Sequence, residues 1–120
     1  MRVLIVESDP NLSWLWRRHL ERLSAEVDLA SGQADAVDFL ETDAVDVIVL
    51  DLVLTEGSAI AIADYASYRH PGTRIVFVTN TTFFSDGSIF QHVPNACAFL
   101  PSQTAPEDLA AVVEHYASAG

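Results

Sequence analysis

Two acids in this chain follow apolar runs, where a carboxylate can do chemistry. Asp51 ends the run Val45-Asp46-Val47-Ile48-Val49-Leu50, and Glu7 follows Arg2-Val3-Leu4-Ile5-Val6. The first run reads as a strand buried on both faces of a parallel sheet, and the second as another strand. A carboxylate right after such a strand lies at the carboxyl edge of the sheet, where ligands bind in open α/β folds. The loops expected at that edge carry Glu7-Ser8-Asp9, Asp51 with Leu52 to Gly57, Thr79-Asn80 and Pro101-Ser102. Two carboxylates brought together there repel unless a cation lies between them. Oxygen ligands of this kind suit Mg²⁺, which keeps several waters and takes one or two carboxylates.

The elements that would position these groups are legible in the apolar pattern. Arg2 to Val6, Glu26 to Leu29, a run ending at Leu50, Arg74 to Val78, and Ala96 to Leu100 read as five strands. Asp9-Pro10 reads as a helix start, with Asp9 as N-cap and Pro10 at the first helical position. Leu12, Leu15, Trp16, His19, Leu20 and Leu23 then form an amphipathic stripe, with Trp14 off it. A second helix runs from Ser31-Gly32 to about Glu41, with Ala36, Val37 and Leu40 inward. A third runs from Ser58 to about Arg69, stopped by His70-Pro71-Gly72. Ser85 to His92 is a short fourth helix, closed by Val93-Pro94-Asn95. Thr104 and Glu107 fit a capping box for a last helix whose inner face is Leu109, Val112, Val113 and Tyr116. Strict alternation of strand and helix implies a parallel sheet covered on both faces.

Composition sets the bounds. The 120 residues suit one domain spanning 1–120, and half of them are hydrophobic, enough for a packed core. No apolar run approaches the roughly 20 residues needed to cross a membrane. Nor is there a secretory h-region, so a cytoplasmic location is expected. The net charge is −11, and the three clustered arginines Arg17, Arg18 and Arg22 are mixed with Glu21. Direct nucleic-acid binding by this domain is therefore not expected. Cys97 is the single cysteine and reads as a buried small hydrophobe. The four histidines show no metal-ligand spacing and read as surface residues.

Four segments in order give the chain a family resemblance: Val3-Leu4-Ile5-Val6-Glu7-Ser8-Asp9-Pro10, Asp46 to Leu54, Val76-Phe77-Val78-Thr79-Asn80, and Ala98-Phe99-Leu100. Over essentially its whole length the chain resembles the receiver domains of two-component response regulators. The resemblance implies a flavodoxin-like (βα)5 fold, a doubly wound five-stranded parallel sheet of order 2-1-3-4-5. It implies a signalling module rather than an enzyme. Asp51 matches the phosphoacceptor. Glu7 matches the first of two Mg²⁺-binding acids, and the backbone carbonyl of Val53 a further ligand. Thr79 matches the switch hydroxyl and Phe99 the switch aromatic. A histidine kinase or phosphotransfer protein would be the phosphodonor. A homodimer through the face of the fourth helix, fifth strand and fifth helix is a possible assembly. Phe83-Phe84, adjacent aromatics in a loop, are candidates for a contact on that face.

The departures from the pattern are specific. Ser8 stands where the second acid is expected, and Asp9 is better read as the N-cap. Ser102 stands where the family carries a lysine, and the chain has no lysine at all. Gln103, Thr55 and Ala59 replace a proline, a proline and a glycine. Phosphoryl transfer depends on positioning and on stabilising the equatorial oxygens. Ser102 can offer those oxygens only a neutral hydrogen bond, about half as strong as a charged one. Mg²⁺ is expected to bind weakly without an acid at position 8. Two readings follow: an atypical phosphorylatable receiver with an altered switch, or a pseudo-receiver that binds partners without phosphate. A flavin- or nucleotide-binding enzyme on the same topology would need a phosphate-cradling loop after the first strand. Glu7-Ser8-Asp9-Pro10 would instead repel phosphate.

Overall fold

The computed structural model describes residues 1–79 and 93–118. Its elements are β1 (Arg2–Val6), α1 (Pro10–Glu21), β2 (Glu26–Ala30), α2 (Gln33–Thr42), β3 (Val47–Asp51), α3 (Ala59–Arg69), β4 (Arg74–Thr79), β5 (Ala96–Pro101) and α4 (Pro106–Ser118). All neighbouring strands pair in parallel, in the order β2-β1-β3-β4-β5. This is the flavodoxin-like order that the sequence implies. The expected fourth helix, together with Asn80 and Phe83-Phe84, lies outside the described residues.

Period-2 alternation sends the strand side chains to two cores. Leu4, Val6, Ile48, Leu50, Ile75 and Phe77 face α2 and α3, where Leu40, Ile62 and Ala66 meet them. Val3, Ile5, Val47, Val49, Val76 and Val78 face α1 and α4, where Trp16, Leu20, Leu109 and Val113 meet them. β1, β3 and β4 are therefore apolar at nearly every position, because both of their faces are covered. Fully burying each such side chain stabilises the fold by about 1.5–3 kcal/mol before entropic costs.

The helix starts are explained by their caps. Asp9 Oδ1 accepts the Asn11 N–H at 3.0 Å, and Pro10 opens α1 as expected. Ser58 caps α3 through the Ala61 N–H. Three sequence expectations need correction. The buried face of α1 is Ser13, Trp16 and Leu20, while Leu15 lies at the surface and Leu23, past the helix end at Glu21, is exposed too. Val37 is only half-buried on α2. At α4 the carbonyl of Ala105 takes the first helical bond from Leu109, so Ala105 holds the cap position assigned to Thr104. Pro106 at the first helical position sets that start. Trp14 is exposed, with the Arg18 guanidinium 4.8 Å above its ring. Cys97 is half-buried, and burial pushes its thiol up to about 11, so it is chemically quiet. No helix among the described residues is long and apolar enough to cross a membrane.

The loop after β3 touches the start of α2 so closely that two glycines are required. Gly32, which precedes α2, has no side chain to cap it. The Glu56 carboxylate does so from the other loop, accepting the Ala34 N–H at 3.2 Å, while the Glu56 carbonyl accepts the Gln33 N–H at 3.1 Å. A Cβ on Gly32 would lie 2.9 Å from that carbonyl oxygen. Gly57 has φ +81°, and a Cβ there would fall 2.2 Å from the Gln33 Cβ. Gly57→Ala is expected to destabilise the chain by about 1–3 kcal/mol, from left-handed strain plus the clash. A urea melt that leaves the midpoint unchanged would contradict this.

Candidate functional site

Every strand of the sheet ends toward the same edge, and backbone pairing continues one residue beyond several of them. The Glu7 N–H donates to the Ala30 carbonyl, Leu52 N–H to Val78, and Ser102 N–H to Thr79. The last residue of each strand is thereby fixed relative to its neighbours. Asp51 is itself the final residue of β3, in register with Val78. Thr79 and Pro101 likewise end β4 and β5, one residue later than the apolar pattern suggests.

Glu7 and Asp51 meet at this edge. Glu7 is only 6% exposed. Its Oε1 accepts the Asp9 N–H at 3.0 Å. Its Oε2 is buried and meets no donor among the described residues. The Asp51 carboxyl lies beside Glu7 and acts on it. Two carboxylate oxygens can bond only by sharing a proton or a cation. Burial, and then the contact with Asp51, raise Glu7 from 4.5 to about 8, against the lowering effect of the Asp9 N–H. Asp51 Oδ1 accepts the Val53 N–H at 2.8 Å, which orients the carboxyl and folds the first residues of the loop back toward the strand end.

The donor set fits Mg²⁺ in one respect and is sparse in another. An orphaned, buried carboxylate oxygen beside a second carboxyl is the local charge arrangement that a divalent cation relieves. Among the described residues, however, no group of three His, Cys, Asp or Glu side chains could hold a metal ion. Two carboxylates, a loop carbonyl and water would have to suffice, which Mg²⁺ accepts. Asp9 Oδ1 is engaged in capping α1.

Thr79 is buried, 1% exposed, at the end of the strand next to Asp51. Phe99 lies two residues inside the edge, in register with Phe77. Their ring centroids are 6.4 Å apart at 39°, and Phe99 packs half-buried against the core that faces α2 and α3. Ser102 follows β5 and is half-buried. The structure thus brings Glu7 and Asp51 into contact, with Thr79 and Ser102 on adjoining strand ends and Phe99 set back in the core layer.

Sequence reasoning did not find the hydrogen bonds of Ser8. The Ser8 Oγ donates to the Ser31 carbonyl at 2.9 Å and accepts the Thr55 N–H at 3.0 Å. It also did not find Gln33, whose Oε1 accepts the Ser58 N–H at 2.8 Å. No periodic signal marks such residues, since each works through a partner far away in sequence.

Comparison with known proteins identifies the family and supports the fold. The family model of the response regulator receiver domain matches residues 3–114. The response regulator protein PilR of Pseudomonas aeruginosa is 28% identical over 78 residues, 65% of this chain; the match spans only 18% of PilR. Among solved structures, a CheY-like receiver domain protein from Methanospirillum hungatei superposes with a TM-score of 0.88 at 20% identity, covering 97% of this chain and 92% of that one. The non-phosphorylated HemR receiver domain from Leptospira biflexa gives 0.88 at 23% identity, covering 99% and 95%. TrrA from Thermotoga maritima, solved with Mg²⁺-BeF, gives 0.83 at 18% identity, covering 96% and 97%. At these identities the structural matches speak for the fold alone.

Proposed function

We propose, given that this chain belongs to the response regulator receiver domain family, that it is an atypical receiver accepting a phosphoryl group on Asp51. One observation carries the reading: Glu7, buried with its Oε2 unpartnered among the described residues, lies beside the Asp51 carboxyl at the carboxyl edge. A site of this charge gains stability from a cation, and an incoming phosphoryl group needs one. Mg²⁺, when bound, would neutralise the two acids and the phosphoryl oxygens. Glu7 and Asp51 would hold it through their carboxylates, and Val53 through its backbone carbonyl.

The chain's own residues have distinct roles in this reading. The Val53 N–H holds Asp51 Oδ1 and so fixes the direction of attack. An Asp51 oxygen forms a new bond to phosphorus as the bond from phosphorus to the donor's leaving group breaks. Thr79 would supply a hydroxyl to a phosphoryl oxygen, and Phe99 would follow its movement. Ser102 offers that oxygen no positive charge, so the switch is weakened or altered. The phosphodonor would be a histidine kinase or phosphotransfer protein. A homodimer would use β5, α4 and the expected fourth helix. The domain is proposed to act in the cytoplasm as a signalling module without enzymatic turnover of its own.

A second reading is favoured by the same departures. With Ser8 occupied in loop contacts and a neutral Ser102, the chain could serve as a phosphorylation-independent interaction module. Acetyl phosphate with Mg²⁺, followed by intact-mass measurement, separates the two. The first reading expects a gain of one phosphoryl group. No gain, under conditions that label an ordinary receiver, favours the second.

A further inference from the structure

Ser8 occupies the place of an acid, and its loss as a ligand is half of what the residue does. Its hydroxyl is bonded on both sides. It donates to the Ser31 carbonyl and accepts the Thr55 N–H, so one side chain ties the β1–α1 loop to the β2–α2 loop and to the β3–α3 loop. Thr55 lies two residues beyond Val53, whose N–H grips Asp51 Oδ1. The far end of the same loop is held by Glu56 and Gln33 against the start of α2. The stretch 52–58 is thus a strap held at its start by Leu52 on Val78, at its far end by Gln33 and Glu56, and between them by Ser8 on Thr55.

We propose that Ser8 is the positioning residue of the acidic site, anchoring the strap through Thr55 so that Val53 is held against Asp51. The proposal deepens the receiver reading, since Val53 matters most if it serves Asp51 and a bound cation. The chemistry is specific to a hydroxyl. Bridging a carbonyl and an N–H needs a group that donates and accepts at once. A carboxylate at position 8 could accept from Thr55 but could not donate to Ser31, and it would add charge beside Glu7 and Asp9. The residue at position 8 therefore exchanges a ligand for an anchor, and restoring the acid would loosen the strap.

The test uses the 120-residue chain without metal. Solvent exchange of assigned backbone amides is measured by NMR in wild type, Ser8→Ala, Ser8→Thr and Ser8→Asp, with Ile48 as a core reference. Removing one such bond is expected to speed exchange about tenfold at Thr55 in Ser8→Ala, and severalfold at Val53, with Ile48 unchanged. Ser8→Thr keeps the hydroxyl and should restore the wild-type rates, which a general packing defect would not allow. Ser8→Asp should exchange faster than wild type at both amides. The proposal is overturned if Thr55 and Val53 exchange in Ser8→Ala stays within twofold of wild type. It is also overturned if Thr55 speeds up while Val53 does not, or if Ser8→Asp protects both amides as well as serine does. Because no metal or phosphodonor is present, a chain that never accepts phosphate would refute the receiver reading and leave this result standing.

Discussion

In Asp51→Asn, labelling by acetyl phosphate and Mg²⁺ is expected to fall to background, read as the loss of the added phosphoryl mass. The amide oxygen that replaces the attacking carboxylate is neutral and a poor nucleophile, and the new amino group would face Glu7. The substitution is nearly isosteric at a half-exposed strand end, and the Val53 N–H can still bond to the amide oxygen. The chain should therefore keep its fold, which circular dichroism can verify. Asp51→Asn that labels as well as wild type would move the acceptor to another residue and refute the assignment of Asp51. The effect is large because transfer to a carboxylate depends on one oxygen held in line with the leaving group. No other described residue combines a strand-end carboxyl with an orienting N–H and a second buried carboxyl.

The second large effect concerns Glu7 and pH. Its folded pKa is raised from 4.5 to about 8, so between those values the folded chain binds more protons than the unfolded one. Stability of the metal-free chain is therefore highest below about pH 4.5, as far as this group is concerned. It is lost progressively as pH rises toward 8. Asp51 beside it is half-exposed, so the loss is about 1–3 kcal/mol, short of what a fully buried shift of this size would give. Glu7→Gln keeps the shape, removes the charge and can donate to Asp51. At pH 8 it is expected to be more stable than wild type by about that amount, with a flatter pH profile in urea melts. Mg²⁺ binding should show the reverse slope in wild type, tightening as pH rises toward 8 because the cation displaces the shared proton. Glu7→Gln should abolish both the slope and most of the affinity. Wild-type stability that rises steadily from pH 5 to 8 without metal would contradict the shared-proton description of the pair.

These two predictions interact with the anchoring role of Ser8. If Ser8 anchors the loop as proposed, it acts on Val53 and through it on Asp51, while the proton or cation beside Glu7 sets the charge of the same site.

Much of the fold could be read from the residues. Runs such as Val47 to Leu50 and Ile75 to Val78 are apolar at every position because both sheet faces are covered, and the alternation with helices implied a parallel sheet, whose order the family resemblance supplied. The cap Asp9 was legible because it acts on a residue two places away, and Ser58, read as the start of the third helix, caps it. The cap at α4 was misplaced by one residue, since Pro106 takes the first helical position and leaves Ala105, rather than Thr104, as the cap. Leu15 and Leu23 were assigned to the buried stripe and lie at the surface, Leu23 because α1 ends at Glu21 and Leu15 because the stripe's exact rotation depends on what α1 packs against.

Strand periodicity and strand ends, set by neighbours along the chain, were enough to place Asp51 and Glu7 at one edge. Tertiary structure alone decided what those groups do to each other. Glu7 loses its ordinary acidity only when folding buries it against a residue 44 positions away by sequence number. Ser8 finds its partners at separations of 23 and 47 residues, so nothing in its local sequence could reveal that its hydroxyl is an anchor. Local pattern fixes where a side chain is delivered, while its protonation and its hydrogen bonds depend on the groups that folding brings to meet it.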